Sequence, residues 1–181
     1  MIDSSPEKRG MIIQKHGLGE IPEEHLISVL AEKIVALQTK MSEKGRVAPR
    51  TREFMEDLLR KGLVFYAIDA NDGRVISSFY MQPIGTHDNA YRFGGMASDG
   101  NQAFPANVAD ELEKFRNVHV VLYTSKRLSK FFSGKPGFMV LQEDEFRTKY
   151  PTLFHDYQAS SETHQVGDDQ VYCVREASST Q

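Results

Sequence analysis

A change of hydrophobic period at Gly62 constrains this chain more than any other feature. Ahead of it, Leu26, Ile27, Leu30, Ile34, Leu37 and Met41 recur at the spacing of one helical face. Pro22, Glu23 and Glu24 stand at the start of that stretch, where proline fits a first turn and acids meet the positive end of the helix dipole. A second, shorter helix is predicted over 51–60, with Phe54, Met55, Leu58 and Leu59 turned inward. Beyond Gly62 the pattern is that of strands. Leu63-Val64-Phe65-Tyr66-Ala67-Ile68 is a continuous run of strand formers, Asn71-Asp72-Gly73 is a tight-turn signal, and Val75, Ser77, Phe79 and Met81 then alternate with Ile76, Ser78, Tyr80 and Gln82. A β-hairpin is predicted there. Ala90 to Ala97 forms a third strand that carries Gly94-Gly95, and glycine inside a strand marks a bulge or a close approach of backbone or ligand.

The second half alternates. Met11-Ile12-Ile13 at the other end of the chain reads as a short first strand. Val108, Leu112 and Phe115 have helical spacing after Pro105, and Val118 to Tyr123 is a buried-type strand. Thr124 and Ser125 are suited to cap a helix with Leu128, Phe131 and Phe132 on one side. Pro136-Gly137 turns the chain into the strand Phe138 to Leu141; a short helix over 142–150 is expected to stop at Pro151, residues 157–170 read as a polar loop, and Val171 to Val174 as the last strand. Helices, a three-stranded meander, then alternating helix and strand imply a mixed α/β (α+β) domain with one central sheet.

Composition narrows the function classes. With 181 residues and 40% apolar side chains, the expectation is one domain spanning 1–181, its core over about 21–175 and a polar tail at 176–181. Its formal charge of −3 excludes wholesale binding of phosphate backbones, so a nucleic-acid partner is not expected. One cysteine, Cys173, excludes a disulfide framework or a zinc finger, and its apolar neighbours suggest a buried structural thiol. No apolar run approaches a membrane span, and Ile2, Asp3, Ser4 and Ser5 after Met1 form no apolar leader segment. The expected location is the cytoplasm, with no membrane partner. A homodimer is left open.

From Leu63 to Leu141, and again at 171–174, the order and motifs resemble the GNAT family of acyl-CoA-dependent N-acyltransferases. The meander, the strand ending Met96-Ala97, the strand Val118 to Tyr123 and the segment Phe131-Phe132-Ser133-Gly134-Lys135-Pro136-Gly137-Phe138 carry the likeness. The resemblance implies a GNAT-like mixed sheet with an antiparallel meander, flanked by helices. It also implies transfer of an acyl group, most simply acetyl, from acetyl-CoA or another acyl-CoA to a small-molecule or peptide amine, without a metal. The amine would attack the thioester directly in a ternary complex.

The resemblance places the cofactor along Met96, Ala97 and Ser98, where strand backbone meets pantetheine, and at Gln102 and Ala103, where a loop and helix start would hold the pyrophosphate through outward amides. Two later positions of the family's loop pattern hold Pro105, which has no amide hydrogen, and Asn107. Phe132 is placed beside the cofactor where family members often carry a proton-donating tyrosine, and phenylalanine has no proton to give. Tyr123 is the candidate substitute as general acid. Tyr80, Tyr91 and Arg92 are the expected acceptor contacts. A second expectation, a catalytically inactive GNAT-like binding or regulatory module, rests on Pro105, Asn107 and Phe132; a third is an unrelated α+β protein.

Other groupings invite blander readings. Lys44, Arg46, Arg50 and Arg52 form either an anion site for an acidic acceptor or a solvated linker. Lys126, Arg127, Lys130 and Lys135 are suited to an ADP phosphate but equally to an ordinary exposed face. His119 lies on an apolar strand and reads as a satisfied core histidine, His87-Asp88 as a solvated loop pair. His155, Asp156, His164, Asp168 and Asp169 lack tight ligand spacing, so a polar loop is preferred to a metal site.

Overall fold

The computed structural model describes residues 10–44, 50–85, 89–160 and 169–178. Arg46, His87-Asp88, His164 and Asp168 lie outside them. The elements in chain order are β1 (Ile13–His16), α1 (Glu24–Ser42), α2 (Arg52–Arg60), β2 (Val64–Asp69), β3 (Arg74–Pro83), β4 (Ala90–Ser98), α3 (Phe104–Glu113), β5 (His119–Ser125), α4 (Lys126–Ser133), β6 (Phe138–Leu141), α5 (Glu143–Lys149), α6 (Pro151–Ser160) and β7 (Gln170–Arg175). The seven strands make one sheet in the order β1-β2-β3-β4-β5-β7-β6. All pairings are antiparallel except β4 with β5.

Local chemistry accounts for most boundaries. Thr51 caps α2 by accepting from the Phe54 amide at 3.2 Å, and Ser125 caps α4 by accepting from the Leu128 amide at 3.3 Å. The β2–β3 turn closes with the Gly73 amide on the Asp69 carbonyl at 2.8 Å; Gly73 has φ +69°, a left-handed conformation that favours glycine. Two expectations need correction. The first strand runs over Ile13–His16 rather than 11–13, because its register with Asp69 to Tyr66 starts at Ile13, and Met11 and Ile12 remain exposed. Residues 151–160 form α6, so part of the expected loop at 157–170 is helical and Pro151 opens a helix as well as ending the one before it. Leu18 is also buried in the core, which carries the packed region ahead of residue 21.

Strand alternation sends side chains to two faces. On one, α3 and α4 cover Phe65, Phe79, Phe93, Val120, Leu122 and Cys173. On the other, two helix pairs share the sheet. The α1–α2 pair covers Val64, Tyr66, Val75, Tyr80 and Ala97, while α5 and α6 cover Ala90, Val121, Tyr172 and Val174. Between these two helix pairs lies the middle of β4, and the site is built there.

Candidate functional site

The parallel ladder between β4 and β5 has three pairs, Ala90 with His119, Tyr91 with Val120 and Arg92 with Val121, and ends there. Past Arg92, β4 stays with β3 and β5 stays with β7, so the two central strands part. Where they part, β4 is bulged: Tyr80 faces Gly94 and Ser78 faces Ala97, leaving Gly95 and Met96 opposite the single residue Phe79. Gly95 has φ +64°. A Cβ on it would lie 2.5 Å from the Tyr80 ring and 2.8 Å from Gln38 Nε2, and one on Gly94 would lie 2.8 Å from Tyr80 Oη. The glycine pair thus forms the bulge expected of it, and the groups that come close to it are the Tyr80 and Gln38 side chains.

Polar side chains gather over this bulge. Tyr80 Oη accepts from Arg50 Nε at 2.8 Å, and Gln38 Oε1 accepts from the Arg50 amide at 3.2 Å. Phe54 meets Tyr80 edge-on at 5.3 Å, and the Arg50 guanidinium lies 5.6 Å from the Phe54 ring centre. Gln38 is fully buried, and its Nε2 has no hydrogen-bond partner among the described residues. Such an orphan donor costs about 1–3 kcal/mol. On the α6 side, Arg92 donates to Tyr157 Oη at 3.2 Å and stacks 4.7 Å from that ring's centre. Burial is the main cause that pushes the Tyr157 hydroxyl above its ordinary pKa, against the nearby Arg92 charge.

The residues singled out in the sequence separate by face. Tyr80 and Arg92 meet the gap between the helix pairs. Tyr91 cannot, since it neighbours Arg92 on a strand and points to the opposite face, packing edge-on against Phe115 at 5.1 Å. Phe132 is fully buried against Phe93, Phe131 and Phe138, so it is a core residue and not a surface for a cofactor. Tyr123 lies on the same face as Val121, half-buried, with its ring 4.8 Å from that of Tyr172. Burial, then the Glu143 carboxylate, raises its hydroxyl pKa, which keeps it protonated at neutral pH.

The loop into α3 has a mixed character. Met96 and Ser98 are half-buried and Ala97 is buried at the parting of the strands; Gln102 is exposed. The Ala103 amide is already engaged, donating to Asn101 Oδ1 at 3.1 Å, while Asn101 Nδ2 donates to Ser77 Oγ at 2.8 Å. Asn107 is buried in α3 and Pro105 occupies its first turn.

The basic cluster splits in two. Arg52 is ion-paired with Glu32 at 3.1 Å, Glu53 at 3.7 Å and Glu56 at 3.4 Å on the outer side of α1 and α2, whereas Arg50 turns inward. Lys126, Arg127 and Lys130 are exposed on α4, and Lys135 lies 4.8 Å from the Phe131 ring centre. His119 Nδ1 accepts from the Ala177 amide at 3.3 Å. It also lines a shallow pocket with Asn89, Ala90, Thr152, Leu153 and Asp156 at the opposite, paired end of β4 and β5. Among the described residues, no group of three or more metal-ligating side chains comes together, and no helix is long and apolar enough to cross a membrane. Gln38 and Tyr157 were not foreseen as site residues. The signal for Gln38 was there, a lone amide side chain on the apolar stripe of the first helix, four residues after Ile34.

No family model matches the sequence, and a search of curated proteins finds no similar one. Solved structures are similar in fold. N-Acetylglutamate synthase from Neisseria gonorrhoeae, complexed with coenzyme A and N-acetyl-glutamate, matches with a TM-score of 0.57 and 16% identity over 94% of this chain and 36% of its own, so the chain spans about a third of that protein. Escherichia coli ElaA matches with a TM-score of 0.52 and 11% identity over 92% of this chain and 100% of its own. Diaminobutyrate acetyltransferase EctA from Paenibacillus lautus, in complex with L-2,4-diaminobutyric acid and coenzyme A, matches with a TM-score of 0.54 and 11% identity over 93% of this chain and 96% of its own. The chain has the GNAT fold.

Proposed function

We infer that the protein is an acyl-CoA-dependent N-acyltransferase, most simply moving acetyl from acetyl-CoA to the amine of a small-molecule acceptor. One observation carries this reading: β4 and β5 part after Arg92, directly beside a glycine bulge, and polar side chains from α1, the segment before α2, β3 and α6 gather on one side of that bulge. A parted strand pair exposes backbone amides and carbonyls to a linear ligand without a charged pocket, which suits the amide-rich pantetheine arm. Met96, Ala97 and Ser98 are the strand residues assigned to it, and Gln102 the first residue met by the diphosphate. With the Ala103 amide taken by Asn101 and no amide on Pro105, phosphate contacts would come from the rest of the loop, and the exposed cations of α4 are the available counter-charge.

Chemistry in this reading needs little beyond placement. A neutral amine held in the gap over Gly94 attacks the thioester carbonyl and β4 backbone amides near Met96 stabilise the oxyanion; collapse to the amide breaks the C–S bond, the thiolate takes a proton from a general acid, and the proton shed by the attacking nitrogen passes to solvent, which reprotonates the acid. Tyr123 is assigned as the donor of that proton, because it faces the gap side of the sheet and its raised pKa keeps the proton on. Tyr80 and Arg92 line the acceptor side.

Isothermal titration with acetyl-CoA and a thiol-release assay test the reading together. Micromolar binding and amine-dependent release of CoA are expected, with Tyr123→Phe lowering kcat about 10²-fold and leaving the acetyl-CoA Kd unchanged. No binding at millimolar acetyl-CoA overturns the reading. Binding without turnover on any amine selects the inactive module instead, the reading favoured by the burial of Phe132 and the amide-poor start of α3.

A further inference from the structure

Resting on the acyltransferase reading, we propose that the acceptor is an amine that carries a carboxylate, and that Arg50 and Gln38 hold this carboxylate beside the β4 bulge. Gln38 is the first of the two. Its side-chain amide is fully buried in the stripe by which α1 packs on the sheet, a place where an apolar residue would serve packing better. Its Oε1 accepts from the Arg50 amide, which fixes which end of the amide is oxygen and aims the nitrogen the other way. That nitrogen lies over the bulge, 2.8 Å from where a Gly95 Cβ would be, and finds no hydrogen-bond partner among the described residues. Ser78 Oγ, on the same sheet face next to the bulge, is also buried and without a partner among them.

Arg50 supplies the charge. Its Nε donates to Tyr80 Oη, and among the described residues no carboxylate lies within 4.0 Å of it, whereas Arg52, two positions on, has three. The contrast is informative because the two arginines flank Thr51, the cap of α2, and only the second meets the glutamates of α1 and α2. Arg50 instead lies near both Phe54 and Tyr80, 5.6 and 6.0 Å from their ring centres, with its Nε tied to Tyr80 Oη. Two rigid donors, a guanidinium fork and a primary amide, next to one uncompensated positive charge match a flat anion of single charge. Arg92, the other guanidinium of the gap, is engaged by Tyr157 and the Ser160 carbonyl, so it is assigned no share of the anion.

The test compares acceptors that differ in the carboxylate alone. Each protein L-amino acid and its decarboxylated amine, together with O-phosphoethanolamine, are assayed for CoA release with acetyl-CoA. The best acid is expected to exceed its own amine at least 100-fold in kcat/KM. Arg50→Ala should raise the KM for that acid about 100-fold and erase the preference, with the acetyl-CoA Kd unmoved. Gln38→Leu should raise the same KM about tenfold, and Arg50→Lys, which keeps the charge and loses the fork, should fall between. A best acceptor lacking a carboxylate, a preference for the phosphate, or an Arg50→Ala variant that weakens acid and amine alike overturns the proposal. The two readings fail separately. If acetyl-CoA does not bind, the transferase reading is lost, and the same amino acids titrated calorimetrically into wild type and Arg50→Lys decide the carboxylate site: binding weakened by the substitution supports it, and no binding to wild type overturns it.

Discussion

The two faces of β4 are made of neighbouring residues and have opposite characters. Tyr91, Phe93 and Met96 face α3 and α4, where Phe79, Phe93, Phe104, Phe132 and Phe138 form a continuous aromatic cluster. Arg92, Gly94 and Gly95 face the gap between the α1–α2 and α5–α6 pairs, where Gln38, Arg50, Tyr80 and Tyr157 meet. One face is closed by apolar packing, and on the other polar side chains meet between the apolar clusters under the two helix pairs. The closed face holds the packing and the other face holds the polar groups of the proposed site, so substitutions on the two faces should have different consequences.

The largest effect is expected on the closed face. Phe132 is fully buried among three other phenylalanines, so Phe132→Ala should destabilise the protein by about 3–5 kcal/mol. Thermal unfolding would show this as a Tm lower by roughly 10 °C for a chain of this size. An unchanged Tm would break the comparison, because it would mean that the aromatic face is not what holds the sheet.

Gly95→Ala comes next and acts on the polar face. The substitution places a Cβ at φ +64°, 2.5 Å from the Tyr80 ring, so either the bulge flattens or Tyr80 moves and releases Arg50. A loss of about 1–3 kcal/mol is expected from the backbone strain. Activity should fall further than stability, because the same residue shapes the gap. Equal Tm to wild type with full turnover would show that the bulge is incidental.

How much of this was legible follows from the same comparison. The closed face was readable: period-2 alternation around Asn71-Asp72-Gly73 defined the hairpin, and Phe131 and Phe132 were already assigned to one helix side. The polar face was only half readable. Strand periodicity ties Arg92 and Tyr80 to faces but does not say which side a cofactor takes, which is how Tyr91 came to be grouped with Arg92 although adjacent strand residues point apart. Phe132 was likewise assigned to the cofactor by motif, while its apolar character alone argued for the core. Arg50 and Arg52 are indistinguishable in a basic run, and only the paths of α1 and α2 decide that one meets glutamates and the other Tyr80. Residues 151–160 were missed because a proline ends one helix and starts the next with equal ease.

The smallest effect concerns two neighbours on β7 that divide between the faces, Cys173 toward α4 and Tyr172 toward α5 and α6. Burial pushes the Cys173 thiol up to about 12, and burial with neighbouring Tyr157 pushes the Tyr172 hydroxyl up to about 12 as well. Both pKa values are higher in the folded chain than in the unfolded one, so the folded state holds the proton that the unfolded state releases. The stability this contributes is complete below about pH 9 for Cys173 and pH 10 for Tyr172, and is lost as pH rises toward 12. Urea unfolding at pH 8 and pH 10 should therefore show a loss of about 1–2 kcal/mol, most of which Cys173→Ala removes. Tyr172→Phe should leave that interval nearly unchanged and flatten the curve only above pH 10. The order of the two variants is the informative part: if Tyr172→Phe flattens the curve first, the polar face admits base before the aromatic one opens, and the thiol side of β7 is the better sealed of the two.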